Sequence, residues 1–67
     1  MENDLKVWRA KRDVTQGELA AEVDVSRQTI NAIERGRYDP SLELAFELAA
    51  YFDCRIEDLF DYQAENE

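Results

Sequence analysis

Residues 15 to 36 read TQGELAAEVDVSRQTINAIERG, and their interpretation decides the fold. Thr15 is followed three residues later by Glu18. At that spacing a hydroxyl and a carboxylate each satisfy one of the free backbone N–H groups at a helix start. The helix so opened runs through Val23, with Leu19, Ala20 and Val23 on its inner face. Ser26 then caps another helix, whose inward residues are Ile30 and Ile33 and whose end is marked by Gly36. Between the two lie only Asp24 and Val25, a link too short for antiparallel packing, so the helices must cross steeply. The side of the second helix that does not face inward carries Arg27, Gln28, Thr29 and Asn31, a set rich in amide and guanidinium groups.

Upstream, Leu5, Trp8 and Arg12 follow helical spacing and predict a first helix over residues 4–12. Downstream, RYDPS (37–41) makes a turn, with Pro40 near the start of a fourth helix over 41–52. That helix is apolar almost all round, which predicts a central element covered on more than one side. A short fifth helix over 56–60 presents Ile56, Leu59 and Phe60. Phe60, Asp61, Tyr62 and Gln63 also alternate apolar and polar, as a short strand would. Its partner would be residues 1–5 or a second copy of the chain. From Ala64 onward no apolar pattern remains, and fraying is expected. The expected fold is therefore mainly all-α: one five-helix domain over residues 1–67, with a small antiparallel sheet formed by its N- and C-terminal ends.

Composition narrows the function. Sixty-seven residues sit near the lower limit for a domain that folds alone, which makes self-association a reasonable expectation. There is no histidine, the commonest general base and metal ligand, and the one thiol, Cys54, has no imidazole to activate it. With no glycine-rich phosphate loop either, an enzyme is not expected, and neither are a cofactor, a metal or a small-molecule ligand. A single cysteine, no apolar run of membrane-spanning length and no basic-then-apolar leader fit a cytoplasmic protein with no membrane partner.

The net charge of -8 argues against a polyanionic partner until its placement is considered. Up to Arg37 seven basic residues balance seven acidic ones; from Tyr38 onward nine acids face only Arg55. All of the excess acid thus lies after the two crossed helices, and local fields follow local placement.

The stretch from Thr15 to Ala49, with its Thr-Gln cap, Leu-Ala pair, Ser-x-x-x-Ile turn and Glu-x-Gly, resembles the helix-turn-helix of lambda-repressor-like (XRE, Cro/cI type) regulators. The likeness extends from about Leu5 to Phe60, and the length and aromatic tail after IEDLF (56–60) are similar to the short stand-alone repressors of that family. It implies a sequence-specific regulator that binds double-stranded DNA. Where the family usually has glycine at three turns this chain has Asp13, Asp24 and Asp53, each following a helix where a left-handed residue is wanted. With two lysines beside sixteen acids, the exchange hints at a salt-rich cytoplasm.

In helix-turn-helix geometry the start of the second helix of the motif, about residues 15–36, enters the major groove. Arg27, Gln28 and Asn31 are then the candidate base readers: arginine suits guanine's two acceptors, and the amides suit adenine's donor and acceptor. Candidate backbone contacts are Gln16 and Ser26 at helix starts, Thr29 beside them, and Arg35, Arg37 and Tyr38 around Gly36. Without the motif, an ordinary solvated helix face would explain the same residues. The resemblance also pairs Arg9 with Glu34 as a structural salt bridge between the first and third helices. Trp8 and Cys54 are expected in the core or against a partner.

One recognition helix reads few base pairs, so a homodimer on a pseudo-palindromic operator is expected, acting as a repressor. Its interface is expected in residues 51–63, through Tyr51, Phe52, Ile56, Leu59, Phe60 and Tyr62. The alternative is an antitoxin whose main role is to bind a partner toxin. Only about seven tail residues are spare for a neutralising segment, which argues against it.

Overall fold

The computed structural model describes residues 2–61. In chain order it contains β1 (Glu2–Asn3), α1 (Leu5–Arg12), α2 (Gln16–Glu22), α3 (Arg27–Glu34), α4 (Leu42–Phe52), α5 (Ile56–Leu59) and β2 (Phe60–Asp61). The helix starts are built as their sequences dictate. Thr15 and Glu18 form the reciprocal capping box, Ser26 accepts from the Thr29 N–H, and Ser41 accepts from the Leu44 N–H. Each such cap contributes about 1 kcal/mol.

Four helix ends share one device. After α1, α2, α3 and α4 the chain turns into the left-handed region at Asp13, Asp24, Gly36 and Asp53, with φ of 57°, 59°, 74° and 58°. In each case the next residue's N–H reaches back to a carbonyl five residues earlier: Val14 to Arg9, Val25 to Ala20, Arg37 to Ala32 and Cys54 to Ala49. The turning residue's own N–H donates to the carbonyl three residues earlier, and the two bonds together satisfy carbonyls that the last helical turn leaves open. The three aspartates thus occupy the left-handed positions that their sequence context requires.

The core is formed by Leu5, Leu19, Ala20, Val23, Ile30, Ile33, Leu44, Ala45, Leu48, Ala49, Phe52, Leu59 and Phe60. Trp8 is half-buried against it, 6.0 Å from Phe52 between ring centroids, and its indole N–H donates to the Asp58 carbonyl. Two chain-end contacts close the fold. β1 pairs antiparallel with β2, Glu2 opposite Asp61 and Asn3 opposite Phe60. The Asn3 amide also donates to the Ile33 carbonyl at 2.8 Å. The ends therefore pair within one chain. α5 stops at Leu59, one residue earlier than expected, because Phe60 has extended backbone and enters the sheet.

Two expectations are corrected. α4 is covered on one side only, not on more than one: Leu44, Ala45, Leu48, Ala49 and Phe52 are buried on one face, while Leu42 and Phe46, one helical turn apart, are 70% and 58% exposed. Conversely Phe52, Leu59 and Phe60, expected at a partner surface, are 1%, 1% and 7% exposed and close the chain's own core. A domain this small has too few apolar residues to spend those three elsewhere. Tyr51 and Ile56 are half-buried, and Tyr62 lies outside the described residues. No described helix is long and apolar enough to cross a membrane.

Candidate nucleic-acid interface

α3 is fixed from below and bare above. Ile30 and Ile33 are buried, while Arg27 and Gln28 in its first turn are exposed. Neither side chain makes a hydrogen bond or ion pair among the described residues. Ser26 spends its hydroxyl on the cap and lies 3.0 Å from the Thr29 hydroxyl, so these two are tied to each other at the helix start. Arg35, Gly36, Arg37 and Tyr38 form an exposed segment at the other end of α3, with Tyr38 49% exposed. A shallow hollow between the start of α2 and Arg27 brings Thr15, Gln16, Gly17 and Arg27 to one depression.

Beneath this face lies the ion pair. Arg9 Nε donates to Glu34 Oε2 at 2.6 Å and Nη2 donates to Oε1 at 3.2 Å, a two-pronged contact that fixes geometry as well as charge. The side chains are 15% and 7% exposed. Arg9 Nη1 also donates to the Val14 carbonyl. The hydrogen bond to Glu34 raises the Arg9 pKa, burial opposes that rise, and the charge of Glu34 adds to it. α1, the α1–α2 turn and α3 are thereby held in one register.

Gln16 and Asn31 are placed differently from Arg27 and Gln28. Both are half-buried. Gln16 Nε2 donates to Glu34 Oε1 at 2.9 Å, and Asn31 Nδ2 lies 3.5 Å from Gln16 Oε1. The structure thus brings together two residues that the sequence assigned to separate duties. Sequence reasoning also missed Arg12, whose guanidinium donates to the carbonyls of Tyr51 and Phe52 at 3.3 and 2.8 Å. Its helical spacing placed it beside Leu5 and Trp8 but carried no sign of which distant helix end it would meet. Cys54 is half-buried, and burial, then the charge of Asp58, pushes its thiol pKa up, opposite to what an activated nucleophile needs.

Residues 5–59 match the model of the helix-turn-helix family. An uncharacterised HTH-type transcriptional regulator of Methanocaldococcus jannaschii is 56% identical over 63 residues, 94% of this chain and 96% of the relative. One from Archaeoglobus fulgidus is 48% identical over 65 residues, 97% of this chain and 93% of its own length. Among solved structures, the restriction-modification controller protein C.AhdI of Aeromonas hydrophila is similar with a TM-score of 0.76 and 28% identity, covering 84% of this chain and 85% of that one. The N-terminal DNA-binding domain of SinR from Bacillus subtilis is similar with a TM-score of 0.76 and 26% identity, over 91% of this chain and 90% of that one. With the capped α2–α3 pair, the bare first turn of α3 and these relatives in agreement, the chain belongs to the XRE-type helix-turn-helix family of transcriptional regulators.

Proposed function

We propose that the protein is a repressor that binds a specific double-stranded DNA operator as a homodimer, with the first turn of α3 in the major groove. The observation that carries this reading is the pairing of a rigid base with free readers. Arg27 and Gln28 are exposed and uncommitted, while Ile30, Ile33 and the Arg9–Glu34 pair immobilise the helix that bears them. Rigid support matters because a base contact must be placed to a fraction of an ångström. Arg35, Arg37 and Tyr38 supply donors for phosphates on the same segment, and occupation of a promoter by so compact a body blocks transcription.

The dimer face proposed is Leu42 and Phe46 of α4 with Ile56 of α5. Two large exposed apolar side chains adjoin hollows lined by Ala45, Ile56 and Phe60 and by Ala49, Cys54 and Ile56. Protrusions beside hollows on one face suit a two-fold contact, in which each copy offers both. An antitoxin would present the same face to a different chain, so the oligomeric state of the isolated protein separates the two readings.

The test is a mobility shift with DNA from upstream of the protein's own gene and with random duplex, alongside sedimentation. A dimer that prefers the upstream DNA is expected. A protein that binds both duplexes equally, or neither, overturns the reading.

A further inference from the structure

Asn3 spends the two ends of its amide in different places. Oδ1 accepts the Leu5 N–H at 3.1 Å, and Nδ2 donates to the Ile33 carbonyl at 2.8 Å. Only the oxygen can take an N–H and only the nitrogen can give to a carbonyl, so the orientation of the amide is fixed. The first bond serves the start of α1, where Asp4 makes no side-chain cap. An aspartate or a serine at position 3 would do that as well. The second bond has no such local purpose. The Ile33 carbonyl already receives the Gly36 N–H at 3.0 Å, so the bond is not needed to keep it from being orphaned. What it does is fix the last turn of α3 against β1.

β1 is in turn fastened to the other end of the chain. Asn3 lies opposite Phe60 in the ladder, and the Asp4 N–H donates to the Leu59 carbonyl at 2.8 Å. Phe60 and Asp61 line the same hollow as Leu42 and Ile56, on the face proposed above for the second copy. One side chain thus joins the end of α3 to a wall of that face. The covalent route from α3 to α4 is weaker as a strut, because residues 35–41 are exposed except for Pro40. The apolar core that the two helices share is non-directional. A short side chain bonded between two backbones sets both a distance and a direction.

We propose that Asn3 is a positioning residue for operator spacing: its amide ties the end of the reading helix to the terminal sheet beside the dimer face, and so sets how the dimer holds its two reading helices apart. The proposal rests on the dimeric DNA-binding reading above. A half-site displaced by one base pair moves roughly 3.4 Å along the duplex and turns by roughly 35° around it. A dimer with a stiff link rejects that site, and one with a looser link follows it. Loss of the bond therefore shows in tolerance to spacing, with the base preference inside each half-site kept.

The experiment is selection of binding sites from a random-duplex pool by the unmodified protein, Asn3→Asp and Asn3→Ala. The consensus is then titrated with its half-sites at the selected spacing and one base pair nearer or farther, alongside sedimentation and melting curves. The unmodified dimer is expected to lose about tenfold or more in affinity at either altered spacing, since only one half-site is then engaged. Asn3→Asp keeps an acceptor for the Leu5 N–H but cannot donate to Ile33. It should remain a folded dimer, keep the half-site consensus, and discriminate between spacings about fivefold less, the scale of one net hydrogen bond. Asn3→Ala should lose as much discrimination and also melt lower, because the start of α1 is released with it. Unchanged spacing discrimination in Asn3→Asp, with or without an even loss of affinity at all three spacings, overturns the proposal. So does failure of that variant to fold, which would assign the bond to stability alone. An unmodified protein that enriches no paired half-sites overturns the dimeric DNA-binding reading itself, a distinguishable result.

Discussion

At the scale of single residues, the structure separates side chains that are held by partners from exposed ones, Arg27 and Gln28, that have none among the described residues. Arg27→Ala and Gln28→Ala remove uncommitted side chains, so each should cost about 1–3 kcal/mol on the cognate site and little on random DNA. Equal losses on both duplexes in a titration would reassign these residues to phosphate. Arg37→Ala should weaken both kinds of DNA and reduce the salt slope by about one unit. Arg9 belongs to the other group. Its removal leaves Glu34, 7% exposed, without its cation, and should cost about 3–5 kcal/mol in chemical denaturation. The double change Arg9→Met with Glu34→Leu should recover much of that, though not all, because Gln16 also loses its acceptor. An Arg9→Ala melting temperature equal to that of the unmodified protein would contradict the burial of the pair. The raised pKa of Arg9 gives a contribution that is complete below arginine's ordinary value and fades only as pH climbs through the higher folded one. Acidification therefore takes nothing from the arginine end of the pair.

At the scale of elements, helix ends carry much of the specification. Each aspartate held at positive φ is strained relative to glycine, by an amount partly offset because glycine is more flexible in the unfolded chain. Asp24→Gly and Asp53→Gly should each raise stability by about 0.5–1 kcal/mol, read from denaturant midpoints; a loss would mean the carboxylates do more than occupy a turn. The converse applies inside α2. A Cβ at Gly17 would meet Arg27 Cδ and Thr15 Oγ1 at 3.9 Å, ordinary contact distance. Gly17→Ala should therefore stabilise the fold by up to about 1 kcal/mol. Arg12 ties α1 to the carbonyl end of α4 with two bonds and a favourable dipole interaction. Arg12→Ala should cost about 1–2 kcal/mol, modest because Arg12 is an exposed residue.

For the whole molecule, size decides how the apolar residues are shared. A 67-residue chain must commit Phe52, Leu59 and Phe60 to its own interior, which leaves Leu42 and Phe46 as the large apolar groups α4 shows to solvent. Leu42→Asp with Phe46→Asp should yield folded monomers in sedimentation at micromolar concentration and weaken operator binding by well over tenfold. The melting curve of the monomer should stay cooperative. If the doubly substituted protein still sediments as a dimer, the contact lies elsewhere. Phe60→Asp should instead unfold the domain, since it places a charge in the core. Acid concentrated from Tyr38 onward leaves Arg27, Arg35 and Arg37 on the part of the chain with no net charge. Association should then be steered toward one face and slow as salt rises.

The sequence by itself determined the elements and their ends. Caps, periodicity and left-handed turns act over three to seven residues, so Thr15 with Glu18, Ser26 and the three aspartates state their roles locally. The contact between α2 and α3 was legible for the same reason, because a link of a few residues leaves little choice of neighbour. Only the tertiary structure decided which apolar residues face inward at the C-terminal end, since Phe52 and Phe46 are chemically alike and differ in what packs over them. It likewise decided that β1 pairs with β2 of the same chain. That Gln16 leans on Glu34 and Arg12 reaches the end of α4 also came from the fold, because a hydrogen bond between distant residues depends on where three helices meet, and a periodic pattern carries no record of that.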